Sequence, residues 1–166
     1  MLSGDFKHVL DSKNRIFIPA GFRDDLGEAF IVTRSFRGNF LCFYSRKAWE
    51  EYIAPLKAAP RKTSEDTLRF LYRTAAEVTP DAQGRILLPQ ALVAYAGIEK
   101  IAYIVGVGDY GEIWSEAGYL DKTQNENVEK IREELEGRVQ EFKAKAEANA
   151  RIAIDLMEGK NENSLH

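Results

Sequence analysis

The sequence is poor in the residues that carry most enzyme and metal chemistry. It has one cysteine, Cys42, and two histidines, His8 and His166. A single cysteine excludes an internal disulfide and any paired-cysteine metal site. No His-Glu-x-x-His run and no phosphate-cradling glycine loop occurs. Carboxylates such as Asp24 and Asp25 read as a solvated helix face. Catalysis is therefore not expected, and no cofactor, metal or small-molecule substrate is implied. Cys42 lies between Leu41 and Phe43 and reads as a buried apolar residue rather than a reactive thiol. No apolar run approaches the roughly 18 residues needed to cross a bilayer. The segment Met1-Leu2-Ser3-Gly4-Asp5 lacks the basic-then-apolar pattern of a signal peptide. The expectation is a soluble, cytoplasmic protein.

What is present is a core and an uneven charge distribution. The chain has 166 residues, 45% of them apolar, so it can build a folded interior. A module of about 45 residues would be marginal alone, and two modules sharing a core would not. The net charge is −3. Residues 1–73 carry 13 Lys and Arg against 9 Asp and Glu; residues 74–120 carry 2 against 6; residues 121–166 carry 8 against 11. The first part is thus basic within an acidic chain, which directs any polyanion toward it.

The chain repeats itself at an offset of 70 residues. Asp11 falls on Asp81, Arg15 on Arg85, Ile16 on Ile86, Pro19 on Pro89, Gly27 on Gly97, Ile31 on Ile101, Gly38 on Gly108 and Ser45 on Ser115. These are 8 identities across positions 11–50, where chance gives roughly two or three. Each copy reads as strand, tight turn, strand, short helix, strand, strand. The turns are Asp11-Ser12-Lys13-Asn14-Arg15 and Asp81-Ala82-Gln83-Gly84-Arg85. Asn14 and Gly84 hold equivalent places, and both tolerate the left-handed backbone such a turn demands. Pro19 or Pro89 opens the short helix and Gly27 or Gly97 closes it.

Between the copies, Thr63-Ser64-Glu65-Asp66 reads as a helix start, with Leu68, Leu71, Tyr72 and Ala75 at helical spacing; Pro55 and Pro60 punctuate the stretch before it. From about Asn125 to Glu158, Val128, Ile131, Leu135, Val139, Phe142, Ala146, Ala150, Ala153 and Met157 recur at three- and four-residue steps. This spacing predicts a long amphipathic helix, followed after Gly159 by a frayed polar end. The expected organisation is a first repeat over 1–53, a helical linker over 54–76, a second repeat over 77–120, and a helix with a frayed tail over 121–166.

Val9-Leu10-Asp11-Ser12-Lys13-Asn14-Arg15-Ile16-Phe17-Ile18-Pro19 resembles the first signature of the MraZ family. Arg69-Phe70-Leu71-Tyr72-Arg73 through Ala76-Glu77, then Asp81 through Pro89, is similar to the second. The likeness spans roughly residues 1–120. It implies an α+β chain of two tandem AbrB-like swapped-hairpin β-barrel repeats forming a pseudo-dimer, with short helices and the long C-terminal helix. It implies a sequence-specific, nucleoid-associated regulator of the division and cell-wall operon. Such a regulator binds double-stranded DNA at direct repeats in its own promoter and assembles as a homo-oligomeric ring. It also implies that Arg15 and Arg85 are the main DNA contacts.

The residues around those arginines suggest supporting parts. Lys7, Lys13 and Asn14, with Arg34 and Arg37, are candidates for further DNA contacts, while Asp11, Asp81 and Gly84 support the turns. The alternative for Asp11–Arg15 and Asp81–Arg85 is an ion pair that only staples its turn. Asn14 departs from the glycine usual in the first signature. The second repeat has only Arg85 and Lys100 as cations over 74–120, so the first repeat is expected to contribute more to binding. Two further readings remain: an antitoxin-like or scaffold module that uses the C-terminal helix, and a structural ring without DNA binding.

Overall fold

The computed structural model describes residues 1–162, with side chains through Met157. The chain divides into two units, residues 1–124 and the segment from Asn125 onward.

The first unit follows the repeat. β1 (Leu2–Val9) leads through the first turn to β2 (Arg15–Phe17), the short helix α1 (Ala20–Leu26), β3 (Phe30–Arg34) and β4 (Leu41–Ser45). Two helices follow, α2 (Arg46–Ala58) and α3 (Arg61–Thr74). The second copy then gives β5 (Ala76–Val78), β6 (Arg85–Leu87), α4 (Gln90–Ala96), β7 (Ile101–Gly108), β8 (Tyr110–Ser115) and α5 (Glu116–Gln124).

The strands form a six-stranded sheet in the order β1-β7-β8-β4-β3-β5 and a separate two-stranded ribbon, β2-β6. Exchanging each strand for its repeat equivalent reverses the sheet order, so a pseudo-twofold axis passes between β4 and β8. The leading strand of each copy pairs with the other copy: β1 lies antiparallel to β7, and β5 to β3. That exchange is the swapped-hairpin arrangement. It is carried by an open sheet and a ribbon, and no cylinder closes among the described residues.

Both sheet faces are covered, which explains the continuous apolar run of β4. Leu41 and Phe43 join a core with Leu2, Phe30, Val32, Ile104 and Ile113, closed by the ribbon's Ile16 and Ile86 and by Phe22, Leu92 and Val93 of the short helices. Cys42 and Tyr44 face the other way, into a second cluster with Phe40, Trp49, Ile53 and Leu71. Cys42 is 3% exposed, and burial pushes its thiol above the ordinary value.

Three details differ from the sequence reading. The copies do not align without a gap. Ser45 pairs with Phe30, but its equivalent Ser115 pairs with Ala102, an offset of 72 rather than 70 for that strand. Ile31 is therefore equivalent to Tyr103, not Ile101; each faces an aromatic, Tyr44 or Trp114, across its hairpin. The second copy has a longer connection out of its helix and a tighter hairpin, and the two changes cancel by Ser115.

The second difference concerns the linker. α3 begins at Arg61, with Pro60 in the capping place and Thr63 N–H donating to the Pro60 carbonyl at 2.9 Å, two residues before the start read from Thr63. Pro55 does not break the chain but lies inside α2. That helix was not assigned from sequence, although its start signal repeats. Ser45 Oγ accepts from Ala48 N, and Ser115 Oγ accepts from Gly118 N, so the repeated serines are N-caps of α2 and α5.

The third lies in the second unit, the helix α6 (Val128–Glu162). Asn127 caps it, accepting from Lys130 N on its side chain at 3.1 Å. The helix passes through Gly159, where the sequence reading ended it. An isolated glycine weakens a helix by only about 1 kcal/mol and does not stop it. The rest of the expected frayed end, residues 163–166, lies outside the described residues. No helix among the described residues is long and apolar enough to cross a membrane.

The swap depends on a close approach of two backbones. Gly4 lies opposite Gly106 across β1 and β7, and a Cβ on Gly106 would collide with the backbone of Leu2 and Ser3. Gly106→Ala is expected to destabilise the first unit by about 1–3 kcal/mol, because a main chain cannot rotate aside as a side chain can. Urea denaturation measures this; an unchanged midpoint would mean that β1 can lift from β7 without loss.

Candidate nucleic-acid interface on the paired turns

Each turn is organised by one aspartate. Asp11 Oδ1 accepts from the backbone N–H groups of Lys13 and Arg15, both at 2.9 Å, and Oδ2 accepts from Arg15 Nε at 2.7 Å. Asp81 repeats the set with Gln83 N at 2.9 Å, Arg85 N at 3.0 Å and Arg85 Nε at 2.9 Å. The aspartate thus shapes the turn and orients the arginine at once. The tips need a left-handed residue, and Asn14 at φ 58° and Gly84 at φ 81° supply it. Asn serves because its short polar side chain tolerates this region.

These hydrogen bonds hold both carboxyls below the ordinary aspartate range. The Arg15 or Arg85 backbone N–H is the leading cause, and the guanidinium adds to it. A depressed folded value means that the turns' contribution to stability is complete above the ordinary pKa of about 3.9, and is lost as pH falls through the lower folded value. Stability should therefore show no loss from these groups between pH 7 and pH 5. Part of the acid limb below about pH 4 should disappear in Asp11→Asn with Asp81→Asn, a comparison that urea titrations at pH 5 and pH 3 can make.

The ribbon brings the turns together. Arg15 pairs with Leu87, Ile16 with Ile86 and Phe17 with Arg85. Ile18 N donates to the Gly84 carbonyl at 3.0 Å and Leu88 N to the Asn14 carbonyl at 2.9 Å, so each strand reaches the other turn. Side chains alternate across a strand. Ile16 and Ile86 point into the core with no exposure, which leaves Arg15, Phe17, Arg85 and Leu87 on the outward face. Both arginines flank the pseudo-twofold axis.

The other candidates are placed differently. Lys13 is exposed on the first turn. Asn14 directs its amide to Gln90 Oε1 at 2.6 Å, which ties the first turn to a helix of the second repeat. Lys7 lies on the opposite side of the sheet. Its neighbours Phe6 and His8 pack toward α1 and the ribbon, at 5.4 Å from Phe22 and 6.2 Å from Phe17, so Lys7 projects toward α5 and bonds Glu116 at 2.9 Å. Arg34 covers the Tyr95 ring at 4.6 Å, and Arg37 bonds the Tyr110 hydroxyl at 2.7 Å; neither joins the turns.

Arg23 and Gln90 both escaped the sequence reading. The Arg23 guanidinium of α1 lies over Gly84, where an added Cβ would stand 2.6 Å from Nη1. Arg23 comes from the first repeat but serves the second turn, so the acidic second repeat receives a cation it does not encode. No local pattern marks it, because its equivalent position holds Val93 and the contact exists only through the crossed pairing. The left-handed φ favours glycine at 84, and a side chain there would have to displace the Arg23 guanidinium.

These features define a class: a tandem swapped-hairpin protein whose two paired turns present arginines beside a twofold-like axis. A family model described as "MraZ protein, putative antitoxin-like" matches residues 1–70 and 71–142. The transcriptional regulator MraZ of Caldicellulosiruptor bescii is 45% identical over 140 residues, covering 82% of this chain and 97% of that protein. Its counterpart in Acetivibrio thermocellus is 41% identical over 131 residues, covering 77% and 90%. That of Lactiplantibacillus plantarum is 43% identical over 116 residues, covering 69% and 82%. The chain belongs to the MraZ family, and these relatives are named as transcriptional regulators.

Proposed function

We propose that this regulator of transcription acts by binding double-stranded DNA sequence-specifically through the outward face of the β2–β6 ribbon. Its target on this reading is direct repeats in the promoter of its own division and cell-wall operon. The observation that carries the proposal is the placement of Arg15 and Arg85 on one solvent-facing surface of a two-stranded ribbon, each held by its aspartate. A two-stranded ribbon fits the major groove of B-DNA, and arginine reads guanine bidentately there. Lys13 and Arg23 lie beside the two turns and suit phosphate oxygens. Assembly of several copies in a ring would set these small sites against repeated DNA elements and multiply their affinity.

The test is a titration of the purified protein onto a fluorescent fragment of the DNA upstream of its own gene, at two salt concentrations. Nanomolar, sequence-selective binding is expected, with log Kd rising by about 0.9 per decade of salt for each phosphate neutralised. Equal binding to a scrambled fragment would sink the proposal.

One observation favours a second reading, an interaction module built on α6. Its residues Val128, Ile131, Leu135, Val139 and Phe142 stand at steps of three, four, four and three, and are 41–76% exposed. A stripe of this kind suits a helical partner. Light scattering of the whole chain and of residues 1–127 separates the readings. Unchanged DNA binding with a lower mass would make α6 the assembly element. A chain that binds another protein but no DNA would favour the module.

A further inference from the structure

The outward face of the ribbon carries two side chains that the binding proposal has not used. Phe17 is 44% exposed and Leu87 is 61% exposed, while Ile16 and Ile86 between them and their arginines are fully buried. The register sets Phe17 opposite Arg85 and Leu87 opposite Arg15. The four side chains therefore form a checkerboard in which each apolar group neighbours an arginine across the ribbon and another two residues along its own strand. Neither apolar group belongs to the core. Single exposed apolar residues are ordinary. A pair at equivalent positions about a pseudo-twofold axis, each beside an oriented guanidinium, is a surface with a definite ligand chemistry.

That chemistry is a polyanion with apolar features next to hydrogen-bond acceptors. In the major groove the apolar feature is the thymine 5-methyl group, and the acceptors that suit arginine are guanine O6 and N7. We propose that Phe17 and Leu87 are specificity-determining residues, which read thymine methyl groups adjacent to the guanines taken by Arg15 and Arg85. This inference rests on the DNA-binding reading above. The ribbon is fit for it because its geometry is held from both ends. The Asp11 and Asp81 hydrogen bonds fix the turns, and Asn14–Gln90 ties the first turn to α4. Leu87 is the more exposed of the two, while the Phe17 ring also lies 6.2 Å from that of His8.

The experiment starts from a pool of random duplexes selected with the wild-type protein. The selected duplex is resynthesised with deoxyuridine in place of each thymidine in turn, a change that removes only the 5-methyl group. Wild-type protein is expected to lose about fourfold in affinity per contacted methyl, the worth of one buried methylene. Phe17→Ala should bind the thymidine duplex more weakly and lose nothing further at one of the deoxyuridine positions. Leu87→Ala should do the same at a second position. Phe17→Leu should retain part of the sensitivity. Both sites are exposed, so an unchanged thermal midpoint in each variant separates lost recognition from lost folding. Three results overturn the inference while leaving DNA binding intact: a selected site without thymine, equal wild-type affinity for the two duplexes, or full deoxyuridine sensitivity in Phe17→Ala. Failure of the wild type to select any sequence would overturn the DNA-binding reading itself, and this inference with it.

Discussion

Arg15→Ala is expected to weaken promoter binding by about 5- to 150-fold, the roughly 1–3 kcal/mol of a bidentate arginine–guanine contact, and Arg85→Ala to weaken it less. Charge counting along the sequence already favoured the first repeat, but the structure weakens that argument by placing Arg23 over the second turn. The asymmetry now rests on how far each guanidinium is engaged. Arg15 bonds Asp11 through Nε, and its terminal nitrogens make no ion pair or hydrogen bond among the described residues. Arg85 directs both Nε and Nη2 to Asp81 and turns Nη1 toward Asp11 at 4.0 Å. Its side chain is 21% exposed against 33% for Arg15. To turn its terminal nitrogens to a base, Arg85 must loosen the Nη2–Asp81 ion pair, where Arg15 need loosen none. Arg15→Lys keeps the charge but not the planar fork, so it should recover affinity for any DNA more than selectivity. A larger loss from Arg85→Ala than from Arg15→Ala would refute the asymmetry. Indifference to both would make the aspartate–arginine pairs mere turn staples.

Phe43→Ala should produce the largest loss of stability, about 3–5 kcal/mol, or roughly 10–20 °C in the thermal midpoint of the first unit. Phe43 is fully buried on a central strand, with Phe30 at 6.0 Å and Phe22 at 6.2 Å between ring centroids. Across β4 and β8 it faces Gly111, and its ring fills the space a Cβ there would take. Truncation therefore opens a cavity on both sides of the pseudo-twofold axis, with rigid backbone as one wall. Calorimetry of Phe43→Ala and Phe43→Leu gives the measure. A loss below about 1.5 kcal/mol would mean that the neighbouring phenylalanines collapse into the space.

Much of the site could be read before folding was considered. The Asp11–Arg15 and Asp81–Arg85 turns close through hydrogen bonds spanning four residues or fewer, so their chemistry is written in five consecutive positions. The left-handed tips at Asn14 and Gly84, and the caps at Ser45 and Ser115, belong to the same local class, although the caps' meaning was missed. The apolar repeat announced a shared core because the same faces must be buried in both copies. Less legible was anything that depended on which strand meets which. Lys7 stands six residues from Lys13 but on the other side of the sheet, because β1 leaves its own repeat to pair with β7. The two-residue slip that makes Ile31 equivalent to Tyr103 hides in loops, where changes in length leave no periodicity to break.

The sequence by itself determined the duplicated module, the two aspartate-organised turns, the buried Cys42 and the long helix, since each follows from short-range hydrogen bonding or from a hydrophobic period. Only the tertiary structure decided that the turns share one ribbon, that Phe17 and Leu87 stand beside the arginines on its open face, and that Arg23 and Gln90 reach across to the opposite repeat's turn. Those contacts join residues about 60 to 76 positions apart. They arise because unpaired strand edges and two half-cores are buried together only when the leading strands cross over.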